Sequence, residues 1–216
     1  EFAGLPMITM RQPSLTPCER MVKRAFDLVV GTITIVFLSP LLLLLAIATR
    51  IDSPGPILFK QRRVGENGKL FWMYKFRSMH EGAEDYLSEV RQLSEEGEIL
   101  FKHRDDPRVT RVGRFMRRTS MDELPQLLNA IKGEMSLVGP RPELPWLVDR
   151  YEPWQWQRLS VPQGMTGWWQ VNGRSDKPMH LHTEEDLYYI QNYSLLLDFQ
   201  ILWNTIGAVL RGRGAF

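Results

Sequence analysis

Two adjacent carboxylates, Asp122 and Glu123, stand inside a dense run of cations, RRTSMDELPQLLNAIKGEMSLVGPRP from Arg117 to Pro142. Seven arginines fall between positions 104 and 141: Arg104, Arg108, Arg111, Arg114, Arg117, Arg118 and Arg141. A carboxylate that attacks a phosphoryl group must overcome repulsion between like charges, which requires guanidinium, ammonium or Mg²⁺ on the phosphoryl oxygens. On that reading one ionised carboxylate is the nucleophile and its neighbour holds or positions a divalent cation. The bland alternative is a helix N-cap followed by a first-turn acid. No more than half of the arginines are expected to touch substrate, the rest facing solvent or lipid headgroups.

These side chains need elements to hold them. Leu124, Leu127, Leu128 and Ile131 fall on one side of a helix predicted from about Asp122 to Lys132, with Gly133 as its stop. Ser120 and Glu123 have capping-box spacing, but a helix capped there would carry Pro125 past its tolerant first turn, so the start at Asp122 is preferred. That start predicts that the helix dipole keeps both carboxylates ionised. Upstream, ILFKQRRVGENGKLFWMYKFRSM reads as a β-hairpin turning at Glu66, Asn67 and Gly68. A charged helix is expected over Glu81 to Lys102, loop punctuation over Ser160 to Gly173, and an apolar helix over Leu195 to Leu210. Residues 1–19, with Pro6, Pro13 and Pro17, read as a linker from an upstream region, and 20–216 as the functional domain.

The run Leu28 to Ala48 holds no ionisable residue and is interrupted at its centre by Ser39 and Pro40. As one helix of ~1.5 Å rise per residue it just crosses a ~30 Å hydrocarbon layer. Pro40 has no N–H for Val36 and its ring crowds that carbonyl, so the helix must bend there. Each arm is then ~15 Å long, half a crossing, and a helix-break-helix that enters and returns competes with a kinked span. Arg20, Lys23 and Arg24 precede the run and Arg50, Lys60, Arg62 and Arg63 follow it, so the positive-inside tendency places both flanks on the cytoplasmic face.

The chain of 216 residues is 44% apolar, enough for a core, and carries a net charge of only +2 arranged in blocks of opposite sign. Such blocks suit an anionic ligand or surface, and the balance lacks the strong basicity of a nucleic-acid binder. The single Cys18 excludes an intrachain disulfide framework and a cysteine zinc site. His180 and His182 alternate in KPMHLHTEE without an evident further ligand and read as loop. Trp146, Tyr151, Trp154 and Trp156 form an aromatic group of the kind found at membrane interfaces or in a core.

In one order, the chain carries KRAFDL, the Ser39-Pro40 break, SPGPILFKQRRVG, YKFRSM, DPRVTRVGRFMRRTSMDELPQLLN, KGEMSLVGPRPE, MTGWWQVNGRS, DLYYIQNYSLLLDFQIL and GRGAF. In these it resembles the bacterial sugar transferases that act on polyprenyl phosphate, the monotopic phosphoglycosyl transferases. The resemblance covers residues ~20 to 216. It implies an α+β, mainly helical fold with a re-entrant membrane helix at 28–48, a small β-hairpin and amphipathic interfacial helices. The domain is then held at the cytoplasmic face of the bacterial inner membrane, and a homodimer is allowed. The implied reaction is attack of Asp122 on the β-phosphate of a UDP-sugar, release of UMP, and transfer of the phosphosugar from the aspartate to polyprenyl (undecaprenyl) phosphate. Such a step opens the assembly of exopolysaccharide, capsule or O-antigen. The resemblance also implies Mg²⁺ as cofactor with Glu123 as its carboxylate ligand, phosphate contacts from Lys75, Arg117 and Arg141, and weaker carry-overs at Arg77, Arg108 and Arg174. Asp186 and Asp198 fall in the closing motif with a structural role at least as well supported.

The chain departs from the family pattern at Gln163-Gly164-Met165-Thr166-Gly167, where Pro-Gly is usual before Thr-Gly, and at Phe216, where tyrosine is common. The linker and GRGAF ending resemble larger members, which often handle glucose or galactose. Two other readings stay open: direct phosphosugar transfer in a ternary complex without a covalent intermediate, and a non-catalytic membrane-anchored module that binds anionic lipid.

Overall fold

A computed structural model describes residues 15–83, 92–93, 99–100, 106–172 and 183–211. Its first element is the helix α1, Pro17–Asp52. Thr16 caps it through a reciprocal pair with Glu19, and Pro17 occupies the first turn, where its missing N–H has no helical partner to lose. The last three residues assigned to the linker, 17–19, are therefore helical.

Pro40 does not divide α1 into two helices. The carbonyl that proline orphans, Val36 O, instead accepts the Ser39 hydroxyl at 2.8 Å. That bond explains how the helix continues through the expected break, since an unpaired carbonyl is costly away from water. One stripe of α1, including Lys23, Asp27, Gly31, Leu45 and Thr49, is buried against the domain. The opposite side exposes Val29, Ile33, Val36, Phe37, Leu43, Leu44 and Ile47. The helix is long and apolar enough to cross a membrane, with a mean hydropathy of 2.6 over its most apolar stretch.

The hairpin follows as expected. Strands β1, Leu58–Val64, and β2, Leu70–Phe76, pair antiparallel from Leu58 with Phe76 to Val64 with Leu70. Their turn uses left-handed backbone at Asn67 (φ 54°) and Gly68 (φ 77°), which Asn and Gly tolerate best. Strict alternation gives the hairpin one inner face, carrying Phe59, Gln61, Arg63, Phe71, Met73 and Lys75, and an exposed outer face with Lys60, Arg62 and Trp72.

Strands β3, Gln92–Leu93, and β4, Ile99–Leu100, pair antiparallel, which overturns the charged helix expected over Glu81 to Lys102 at those positions. Most of that stretch lies outside the described residues. Helix α2, Arg111–Arg118, is capped by Thr110 and leads into a 3₁₀ turn, Met121–Glu123, and then α3, Gln126–Lys132. Strand β5, Ser136–Val138, pairs parallel with β6, Gly164–Thr166, within the segment expected to be all loop. A Cβ on Gly164 would lie 2.0 Å from Gly139 N, so the two backbones meet only because both positions are glycine. Short α4, Pro145–Val148, and α5, Trp168–Asn172, lie before and after β6. Helices α6, Thr183–Gln191, and α7, Leu195–Arg211, close the described chain.

The main core joins α3, β5, α6 and α7 through Leu127, Ala130, Leu137, Val138, Tyr189, Ile190, Leu197 and Ile201. A second cluster, Leu45, Phe76 and Met116, packs the later arm of α1 against the hairpin and α2. The charges before the apolar run turn out to be docking groups. Lys23 Nζ meets Asp198 Oδ2 at 2.7 Å with both side chains buried, Asp27 accepts from Ser136 Oγ and Leu137 N at 3.0 Å, and Arg20 pairs with Glu66. Arg24 donates to Ala130 O and Ile131 O, both at 2.6 Å, in the last turn of α3, where Ala130 O also accepts Gly133 N.

Candidate active site

Asp122 sits in the 3₁₀ turn and not in the first turn of a longer helix. Pro125 is the reason. It has no N–H for Met121 O, and that carbonyl accepts Leu124 N at 3.3 Å in the tighter i to i+3 pattern, so α3 starts only after the proline. Ser120 precedes the turn in left-handed backbone (φ 56°, ψ 17°) and makes no side-chain cap. A non-glycine residue there stores of order 1 kcal/mol, and such positions cluster at functional sites.

Both side chains of the pair reach the site, in different states. Glu123 is buried and clamped: its Oε1 accepts Lys75 Nζ at 2.9 Å, and Arg141 reaches Oε1 at 2.5 Å and Oε2 at 3.3 Å. No hydrogen bond or ion pair within 4.0 Å engages the Asp122 carboxylate among the described residues. Burial pushes Asp122 above the usual carboxylate range and Glu123 adds to the rise, while Lys75, Arg117 and Arg141 oppose it. The expected dipole stabilisation is thus outweighed, because Asp122 stands short of α3 and largely out of water.

Five of the six expected phosphate-binding cations fall among the described residues, three of them beside the pair. Lys75 comes from the inner face of β2, and burial lowers its pKa although Glu123 works the other way. Arg117, at the end of α2, donates Nε to Ser78 Oγ at 2.9 Å and lies within the field of Asp122. Arg141 is on the loop after β5. Arg77 is buried elsewhere, donating to Ser53 O at 2.6 Å, so it is not brought to the pair. Arg108 is committed to Asp106 at 2.6 Å and to Ala83 O at 3.1 Å. Arg174, His180 and His182 lie outside the described residues. Arg111, Arg114 and Arg118 face outward on α2 beside the exposed Phe115.

The loop that aims Arg141 is gripped from three sides. Gly139 N donates to Thr166 O at 2.9 Å, Val64 N to Glu143 O at 2.9 Å, and Arg158 Nη2 to Arg141 O at 3.1 Å. Arg158 is fully buried. It pairs with Asp186 Oδ2 at 2.6 Å, approaches Glu143 Oε1 at 3.5 Å and donates to the Tyr151 hydroxyl. Asp186 and Asp198 are therefore structural partners, of Arg158 and Lys23. Arg158 and Ser78 were not singled out by sequence reasoning, nor was Arg63 as more than a flanking charge. Only Arg63 left a signal, the two-residue alternation that puts it on the face of Lys75.

Among the described residues no group of three or more acidic, histidine or cysteine side chains is arranged to hold a metal. Asp122 and Glu123 alone would suit Mg²⁺, which typically takes one or two carboxylates and completes its shell with substrate phosphates and water. Trp146, Trp154 and Trp156 are 37%, 43% and 48% exposed, which favours the interfacial reading over core packing. Helix α7 likewise exposes Leu196, Phe199, Trp203 and Ile206.

A family described as "Bacterial sugar transferase" matches residues 18–212. The chain is 40% identical over 207 residues to exopolysaccharide production protein ExoY of Sinorhizobium fredii, covering 94% of this chain and 92% of that protein. It is 43% identical over 201 residues to the undecaprenyl-phosphate galactose phosphotransferase of Salmonella typhimurium, covering 91% of this chain and 42% of the relative. Against the UDP-glucose:undecaprenyl-phosphate glucose-1-phosphate transferase of Escherichia coli it is 38% identical over 214 residues, covering 95% and 44%. The chain thus spans less than half the length of several relatives that it matches.

Proposed function

Because the chain belongs to the bacterial sugar transferase family, we propose that it transfers a hexose-1-phosphate from a UDP-sugar to polyprenyl phosphate. Asp122 Oδ attacks the β-phosphorus, the bond from that phosphorus to the bridging oxygen breaks, and UMP leaves with the electron pair. The phosphosugar then rests on the aspartate. An oxygen of polyprenyl phosphate attacks the same phosphorus and returns Asp122 as a free carboxylate. The observation that carries this reading is the asymmetry of the pair: Glu123 is fixed by Lys75 and Arg141, while Asp122 is left unengaged beside Arg117. A group that must form and break a bond to phosphorus needs that freedom, and the cations offset charge repulsion as it approaches.

Mg²⁺ belongs to this proposal, with Glu123 as its protein ligand, supplying charge neutralisation on the diphosphate. The membrane arrangement does too. Arg24 holds the end of α3, and Asp52 Oδ2 accepts Val112 N at 2.9 Å in the first turn of α2. These two residues flank the apolar run, and a straight helix would separate them by roughly 42 Å. A crossing of a ~30 Å layer would place them on opposite faces. Their attachment to one domain supports a re-entrant α1 that keeps the site at headgroup depth on the cytoplasmic face. Cys18 is exposed and reports the entering arm, and Arg50→Cys in a Cys18→Ser chain reports the leaving arm. Labelling of both from the cytoplasmic side is expected; labelling from opposite sides overturns the re-entrant arrangement.

The catalytic proposal is tested by UMP release from a panel of UDP-sugars with undecaprenyl phosphate in lipid nanodiscs. One UDP-sugar should support turnover, and Asp122→Asn should lose at least a thousandfold with unchanged folding. Full activity in that variant, or no turnover with any sugar, contradicts the proposal.

A further inference from the structure

We infer that Arg63 is a phosphoryl-binding residue of this site, joining Lys75 and Arg141 around the reacting anion. The inference rests on the proposed phosphosugar transfer and adds a group that neither the motif nor the cationic run identified.

Register sets its position. On the antiparallel hairpin Arg63 pairs with Phe71 and Lys75 with Phe59, and both lie on the inner face. Arg63 Nη1 donates to Pro142 O at 3.1 Å, the carbonyl next to Arg141, and Nη2 to Gln61 Oε1 at 2.7 Å. Both acceptors are neutral. No ion pair within 4.0 Å holds this guanidinium among the described residues, and its Nε is buried with no hydrogen-bond partner. Glu123 is already shared between Lys75 and Arg141, and Glu143 lies against the buried Arg158.

A half-buried guanidinium with no carboxylate partner among the described residues, beside another guanidinium, is costly unless an anion joins it. Burial and Arg141 push the Arg63 pKa down to about 10, with Glu143 and Glu123 opposing, so the group stays charged at neutral pH. The surplus cation and open Nε donor suit an anion that brings several oxygens, as a phosphate or diphosphate does. Arg158, by contrast, meets its neutralising carboxylate, Asp186, within the fold.

The anion could be the diphosphate of the nucleotide donor or the phosphate of the lipid acceptor, and the two give different kinetics. In Arg63→Gln, loss of a donor contact raises the KM for UDP-sugar at least tenfold and slows acceptor-free formation of the covalent species. Loss of an acceptor contact leaves that half-reaction intact and raises the KM for undecaprenyl phosphate. Either pattern supports the inference, and Arg63→Lys should recover only part, because a point charge replaces a two-pronged donor. Both KM values and both rates within twofold of the parent overturn it. Direct titration with inorganic pyrophosphate needs no turnover: the parent should bind at least tenfold more tightly than Arg63→Gln. Equal binding, or none by the parent, refutes the anion site. A parent that binds pyrophosphate but turns over no UDP-sugar instead counts against the proposed reaction.

Discussion

Replacing Arg158 by methionine removes the cation that pairs with Asp186 among the described residues and also faces Glu143, side chains only 2% and 4% exposed. Methionine nearly conserves the buried volume but leaves a carboxylate in low dielectric without a partner. Breaking such a pair from one side costs ~3–5 kcal/mol, which at this chain length lowers the melting temperature by roughly 6–20 °C. Burial already raises the Asp186 pKa, with Arg158 as its main opponent. Without Arg158 the folded protein binds that proton more tightly than the unfolded chain, whose aspartate titrates near ~3.9. A raised folded-state pKa gives stability that is present at low pH and lost as pH rises through it, so the deficit must narrow from pH 8 to pH 6. The double variant Arg158→Met, Asp186→Asn should recover much of the loss. Thermal melts of the four proteins of this cycle in nanodiscs at both pH values decide the matter. A single variant within 2 °C of the parent, or a double variant no better than the single, refutes the claim that this buried pair holds the Arg141 loop.

Arg117→Gln removes a charge that favours ionised Asp122, so the acid limb of the kcat/KM against pH profile should move to higher pH; an unmoved limb shows that Arg117 does not act on the nucleophile. Gly164→Ala forces a Cβ to 2.0 Å from Gly139 N and should destabilise by about 1–3 kcal/mol or more, read as a lower melting temperature; an unchanged melt contradicts the close approach. Ser39→Ala leaves Val36 O without its side-chain donor and should cost about 1–3 kcal/mol, which detergent-resistance of the fold would report.

The hairpin was legible in the sequence because its alternation and Asn-Gly turn are local signals, and Asp122 and Glu123 because carboxylates among arginines are unusual in composition. Elements whose identity depends on distant partners were not. Lys23 and Arg24 beside an apolar run look like topological charges, yet their partners Asp198 and Ala130, like the Ser136 partner of Asp27, lie more than a hundred residues away. Arg158, Glu143 and Asp186 form one network from three separate segments, with no spacing to betray it. The start of α3 was misplaced by a few residues because Pro125 was allowed into a helix, when it instead selects a 3₁₀ turn before it. The upward push on the Asp122 pKa was not legible for the same reason: the dipole argument assumed a helix end, and burial depends on distant segments packed around the pair.

The most direct test of the account is intact and peptide mass spectrometry of the protein after incubation with its UDP-sugar and Mg²⁺ in the absence of lipid acceptor. A hexose-phosphate adduct is expected on the peptide containing Asp122, absent in Asp122→Asn and discharged when undecaprenyl phosphate is added. An enzyme that turns over with acceptor present yet never carries that adduct would contradict it.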